Sequence, residues 1–173
     1  IHHLADLGHT NVGVISMRNE LVEAGYGPVV RTEKPLIEVA NRSGINVTIK
    51  HPKPTIRAGR QAFEELLQEQ PDLTAIIGFN ESAFIGALEV AGARGIRIPE
   101  DLSVMSFGLS DEAANMTVPA QTTINVDGPE LGRMAVQYLI ARLNGDKKSV
   151  LQNLTQPQFF DRGSTGPAPQ LRG

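Results

Sequence analysis

Residues 74–108 constrain this chain more than any other stretch. They open with Ala75-Ile76-Ile77-Gly78-Phe79, an uninterrupted apolar run of the kind that forms a strand buried on both faces. Asn80 follows, where that strand ends and a helix begins. Phe84, Ala87, Leu88 and Ala91 then recur at helical spacing and make one apolar stripe. Gly95 suits the C′ position, and Pro99 blocks continuation of the helix. Residues 103–107 are a second strand, ended by Gly108. A strand–helix–strand unit of this length predicts parallel strands joined by a right-handed crossover. Ligands of open parallel sheets bind outside the carboxyl ends of the strands. Asn80 and the turn from Gly108 to Asp111 occupy two such ends.

The 173-residue chain is long enough for one substantial core. It has no cysteine, which excludes disulfides, thiol nucleophiles and cysteine-ligated zinc, and fits a cytoplasmic protein. A net charge of −3 and the absence of tryptophan argue against a nucleic-acid surface on this stretch itself. No apolar run reaches the length of a membrane span. The chain begins at Ile1 and enters a helix-like segment at once, so it reads as part of something longer.

In chain order, residues 2–7 form the end of a helix with Gly8 at C′, and 11–16 a strand. A loop containing Gly25 and Gly27 follows. The pattern then predicts a helix over 34–43 with Pro35 in its first turn, an edge strand over 45–50, and a helix from an N-cap at Thr55 to Gln70. After the central unit come an irregular loop over 111–120, a strand over 121–126, and a helix over 129–144. That helix is capped by Asp127 or Gly128, and its stripe includes Leu131, Met134, Tyr138 and Leu139. A last strand falls within 150–161, and the tail after Gly163 is expected to fray. This alternation means an α/β fold with a mostly parallel sheet.

Several of these segments together resemble the effector-binding region of LacI/GalR-type transcription regulators. They are His3-Leu4-Ala5-Asp6-Leu7-Gly8-His9, Gly59-Arg60-Gln61-Ala62, Pro71-Asp72-Leu73-Thr74-Ala75-Ile76, Phe79-Asn80-Glu81, Gly86-Ala87-Leu88, Gly95-Ile96-Arg97-Ile98-Pro99-Glu100-Asp101-Leu102-Ser103-Val104, Thr122-Thr123-Ile124, Leu131-Gly132 and Arg162-Gly163-Ser164-Thr165-Gly166-Pro167. The resemblance implies a doubly wound, periplasmic-binding-protein-like fold. Residues 1–120 and 146–163 would form the C-terminal lobe. Residues 121–145 would belong to the N-terminal lobe, and 164–173 would be a tail. A helix-turn-helix domain would lie outside this chain, and the helix over 129–144 would need a cover.

Candidate site residues each carry two readings. Asn80 is a helix N-cap or an amide for ligand hydroxyls; the resemblance favours the ligand role. Gly108 stands where relatives usually carry an acidic ligand-binding residue, so Asp111 either supplies that carboxylate or is a solvated loop charge. Arg31 matches a ligand-contacting arginine or is a surface charge, and Pro54 lines the pocket or stiffens its loop. By resemblance, Thr55, Ile56, Gly59, Ile85, Glu89 and Met116 would lie on a homodimer interface. His2, His3, His9 and His51 lack metal-site spacing and read as structural or exposed. No nucleophile elbow or phosphate loop is present, so no enzyme chemistry and no cofactor are expected. Three sequons, at Asn46, Asn115 and Asn153, read as chance matches. The expected function is to sense a sugar-like effector for a DNA-binding regulator acting as a homodimer on operator DNA. The alternative is a periplasmic sugar-binding receptor.

Overall fold

The computed structural model describes residues 1–145 and 155–170. A six-stranded sheet runs through the molecule in the order β2-β1-β3-β4-β5-β6. Its strands are β1 (Asn11–Ile15), β2 (Asn46–Lys50), β3 (Ala75–Gly78), β4 (Ser103–Phe107), β5 (Thr122–Asn125) and β6 (Gln158–Phe160). The first five are parallel, and β6 runs antiparallel against β5. The doubly wound α/β architecture is therefore as the alternating pattern implies. The expected last strand narrows to β6, and the part of it before residue 155 lies outside the described residues, as does the Asn153 sequon.

Helices cover both faces of the sheet. On one face α4 (Ile56–Glu69) and α5 (Glu81–Ala93) enclose Phe63, Leu66, Ile76, Phe84, Val90 and Val104. On the other, α1 (His2–Asp6) and α3 (Gly27–Arg42) pack Leu4 and Ala40 against Val12, Val14, Ile77 and Met105. Central strands buried on both faces account for the continuous apolar runs in the sequence. The connection after β1 lies on the α3 face and that after β3 on the α5 face. The crossover direction thus changes between β1 and β3, and their carboxyl ends frame a crevice.

Local signals place most elements well. Thr55 caps α4 through Ala58 N at 3.2 Å, and Asp127 caps α7 (Gly128–Leu143) through Glu130 N at 2.9 Å. Gly8, Gly44 and Gly95 all take positive φ just beyond helices. Other expectations need correction. The segment after β1 holds α2 (Asn19–Glu23), and α3 starts seven residues before 34 with Pro28 in its first turn. Pro35 sits inside α3. Proline was a misleading start signal there, because the helix already runs before it. The 111–120 segment is not wholly irregular, since Ser110 caps a short helix, α6 (Asp111–Asn115), through Ala113 N at 3.2 Å.

The expected division at residue 121 does not coincide with the edge of this sheet, because β5 pairs with β4 in it. The tail also departs from expectation. Ser164 is buried, donates to Val104 O at 2.6 Å and accepts from Thr122 N at 2.7 Å. Gly166 O accepts from His9 Nε2 at 3.0 Å and Ser103 Oγ at 3.1 Å. Residues 164–166 are thus pinned across the sheet by polar groups that hydropathy alone does not mark. Residues 171–173 of the expected tail lie outside the described residues.

Candidate functional site at the strand ends

Parallel register carries Phe79 and Phe107 to the same rim. β3 and β4 pair Gly78 with Ser106, so the next residues emerge side by side. Their rings meet at 5.4 Å between centroids with a 42° tilt. Phe107 remains 39% exposed, far more than the core strand residues that precede it. Next to these rings, Asn80 Oδ1 accepts from Ala83 N at 3.0 Å. The cap therefore uses the carbonyl end of the amide, and the NH2 end keeps two donors for another partner.

A cleft of about 450 Å³ opens here, lined by residues that include Phe79, Asn80, Ser106, Phe107, Gly108 and Gln121. Gly108 has φ +76°, and nothing lies within 4 Å of a Cβ placed on it, so backbone conformation rather than crowding favours glycine. Ser106 Oγ and Gln121 Oε1 are buried with no protein partner among the described residues. Apolar walls with a few convergent polar groups are typical of small-molecule sites.

A second polar group occupies the neighbouring strand ends. Ser16 directly follows β1, and its hydroxyl donates to Glu33 Oε1 on α3. His51 directly follows β2, and its Nε2 lies 3.0 Å from the same oxygen. A carboxylate only accepts, so His51 presents Nε2–H. This carboxylate partner was missed because it lies 18 residues away in sequence, not at a helical offset. The positions of Ser16 and His51 were legible as strand ends; Glu33 was hidden by the late start assigned to α3.

The other candidates separate. Asp111 Oδ1 pairs with Arg162 Nη2 at 2.5 Å, and Arg162 also donates to Gln121 O and Thr123 Oγ1. Asp111 thus ties the segment that follows β6 to α6. Arg31 is exposed on α3 and Pro54 is exposed before α4. Ile56, Ile85 and Met116 are exposed, and Ile85 and Met116 line the same cleft as Asn80. Thr55 is also exposed, and Glu89 accepts from Arg60 Nε at 2.7 Å. Gly59, expected on that outer face, is instead buried where α4 crosses α5. His9 is buried too, with Nδ1 2.9 Å from Thr74 Oγ1. Burial pushes its imidazole pKa below the ordinary value, opposed by the hydrogen bond to Gly166 O and aided by nearby His3.

Among the described residues no helix is long and apolar enough to cross a membrane. No group of three or more histidine, aspartate or glutamate residues there is arranged to hold a metal.

Comparison with known proteins agrees with this architecture. The HTH-type transcriptional regulator reg1 of Streptomyces lividans is 30% identical over 100% of this chain and 50% of its own length. The chain spans about half the length of the curated relatives it matches. A LacI family transcriptional regulator from Bifidobacterium animalis subsp. lactis superposes with a TM-score of 0.84 at 29% identity, over 96% of this chain and 59% of that one. A CelR–cellobiose complex shares the fold, with a TM-score of 0.78 at 24% identity, over 94% of this chain and 49% of that one. These curated relatives are HTH-type transcriptional regulators or repressors. With residues 1–165 matching the periplasmic binding protein-like domain, and with LacI-family transcriptional regulators as its relatives and structural neighbours, the chain belongs to that domain family.

Proposed function

We propose that this chain supplies one wall of the effector-binding crevice of a LacI-family transcription regulator. The observation that carries the reading is the convergence of Phe79, Asn80, Phe107 and Gly108 on one carboxyl rim of the parallel sheet. Aromatic faces beside an amide with free N–H donors suit a sugar or sugar derivative, whose apolar C–H faces and hydroxyls need both. The cellobiose-bound neighbour supports the fold only; the sugar assignment rests on this rim's chemistry.

The second wall would come from an N-terminal lobe. Helix α7 would pack there, since Val136, Leu139, Ile140 and Leu143 are all more than half exposed on this chain. On this reading the C-terminal lobe extends beyond the expected boundary at residue 120 to take in β5, which pairs with β4, and α7 crosses to its partner lobe. Asn80 and Gly108 would contact the effector, with Arg31 and Pro54 at the margin; Asp111 would act through Arg162. The exposed Ile56, Ile85 and Met116, with Thr55 and Glu89, would meet a second copy in a homodimer. Such a patch is self-complementary in a two-fold arrangement. Effector binding would then shift the dimer between states with different affinity for operator DNA, bound by a helix-turn-helix elsewhere in the full-length protein. The relatives' names favour this cytoplasmic regulator over a transport receptor.

The test is thermal stabilisation of the full-length protein by a panel of neutral saccharides. At least one should raise the melting temperature in a dose-dependent way, and Asn80→Ala should weaken that response. No shift with any saccharide contradicts the sugar assignment.

A further inference from the structure

The Ser16–Glu33–His51 group sits at the carboxyl ends of β1 and β2, on the rim that carries Asn80 but outside the lining of the cleft next to Asn80, and it is not needed to build the rim. Ser16 N donates to Lys50 O at 2.8 Å, and Phe79 N donates to Ile15 O at 2.9 Å. Backbone hydrogen bonds therefore already lace the ends of β1, β2 and β3 together. Into this frame α3 brings a carboxylate whose side chain is only 13% exposed. Both side-chain hydrogen bonds fall on Oε1. The carboxylate plane is thereby set, while Oε2 takes neither bond and keeps its acceptor capacity. Ser16 marks the end of β1, one of the two strands between which the crossover direction changes, and Asn80 follows β3, the other.

We propose that Glu33 is a specificity-determining acceptor of the effector crevice, oriented by Ser16 and His51, and that it reads a hydroxyl of a polyhydroxylated ligand through Oε2. This rests on the effector-binding reading above. A carboxylate already fixed by two donors loses little freedom when it accepts a third, so binding costs less ordering. Removing its charge while the ligand hydroxyl stays buried leaves that hydroxyl without an acceptor.

Glu33→Gln separates this role from a purely structural one. The amide oxygen can still accept from Ser16 and His51, but the NH2 group then occupies the place of Oε2 and offers donors instead of an acceptor. The experiment titrates the full-length wild type and the variant calorimetrically with glucose, galactose, ribose, cellobiose, lactose and maltose. For a sugar that binds the wild type, Glu33→Gln should weaken affinity about ten-fold or more, with the ligand-free melting temperature preserved. A deoxy form of that sugar lacking the recognised hydroxyl should bind wild type and variant alike. Equal affinity of wild type and variant for every bound sugar overturns the role of Glu33 while leaving the effector reading intact. Binding of none of the six sugars by the wild type removes the reading on which the role rests. If Glu33→Gln does not fold, Ser16→Ala gives the answer: weakened affinity supports the assignment, and unchanged affinity overturns it.

Discussion

Gly59 and Gly86 close the crossing of α4 and α5 from opposite sides. A Cβ on Gly59 would stand 1.8 Å from Ala83 O, and one on Gly86 would stand 2.1 Å from Ile56 O. Each glycine admits the backbone of the other helix, and neither obstacle is a side chain able to swing away. The pair holds α5 against α4 and so fixes the direction from which Asn80 reaches the rim.

Gly86→Ala should therefore destabilise the protein by about 3 kcal/mol or more, because backbone must shift. Gly92 provides the contrast on the same helix, since nothing lies within 4 Å of its Cβ position and its φ is not positive. Gly92→Ala should stabilise by about 0.5–1 kcal/mol through helix propensity alone. Urea unfolding of the two variants should show midpoints moving in opposite directions.

These two glycines mark the boundary of what was legible. The sequence motifs containing Gly59 and Gly86 pointed to the family, but nothing local distinguishes a packing glycine from an exposed one. Strands such as β4 and caps such as Thr55 and Asn80 were legible because their signals are local. The position of Asn80 directly after a strand was legible in the same way, while its proposed ligand role came from the family resemblance. The Glu33–His51 contact, the Asp111–Arg162 pair and the Ser164 anchor depend on partners 18 to 60 residues distant, a distance over which no periodicity speaks.

Asn80 caps α5, and the proposed effector contact would be a second, separable task. Asn80→Ala should cost about 1 kcal/mol of stability through the lost cap and also weaken effector binding. Asn80→Ser keeps a capping oxygen but lacks the NH2 donors, so stability should change by only a few tenths of a kcal/mol while affinity still falls. Denaturant titration and calorimetry of the same samples separate the two effects.

Ser164 should be more costly to remove than its size suggests. Ser164→Ala deletes the acceptor of Thr122 N in a residue with 0% exposure, and the donor to Val104 O. Leaving buried backbone groups unsatisfied should cost about 1–3 kcal/mol, read from the unfolding midpoint. A frayed tail would give no measurable change.

His9 makes stability fall on acidification. Its folded-state pKa lies below the ordinary value chiefly through burial, so the unfolded chain binds the proton first. The stabilisation is fully present above about pH 6.5, is lost as pH drops through the interval down to the folded-state value, and levels off below it. His9→Gln should flatten this part of the melting-temperature profile. An unchanged slope would assign the dependence to other groups.

Hydrogen–deuterium exchange on the full-length protein, with and without a stabilising saccharide, tests the crevice most directly. Binding at the carboxyl rim predicts slowed exchange in peptides carrying Phe79, Asn80 and Glu81 and in those carrying Phe107, Gly108 and Leu109, with the amino ends of β3 and β4 unchanged. Protection confined to other surfaces, with both of these strand ends unaffected at saturating ligand, would contradict it.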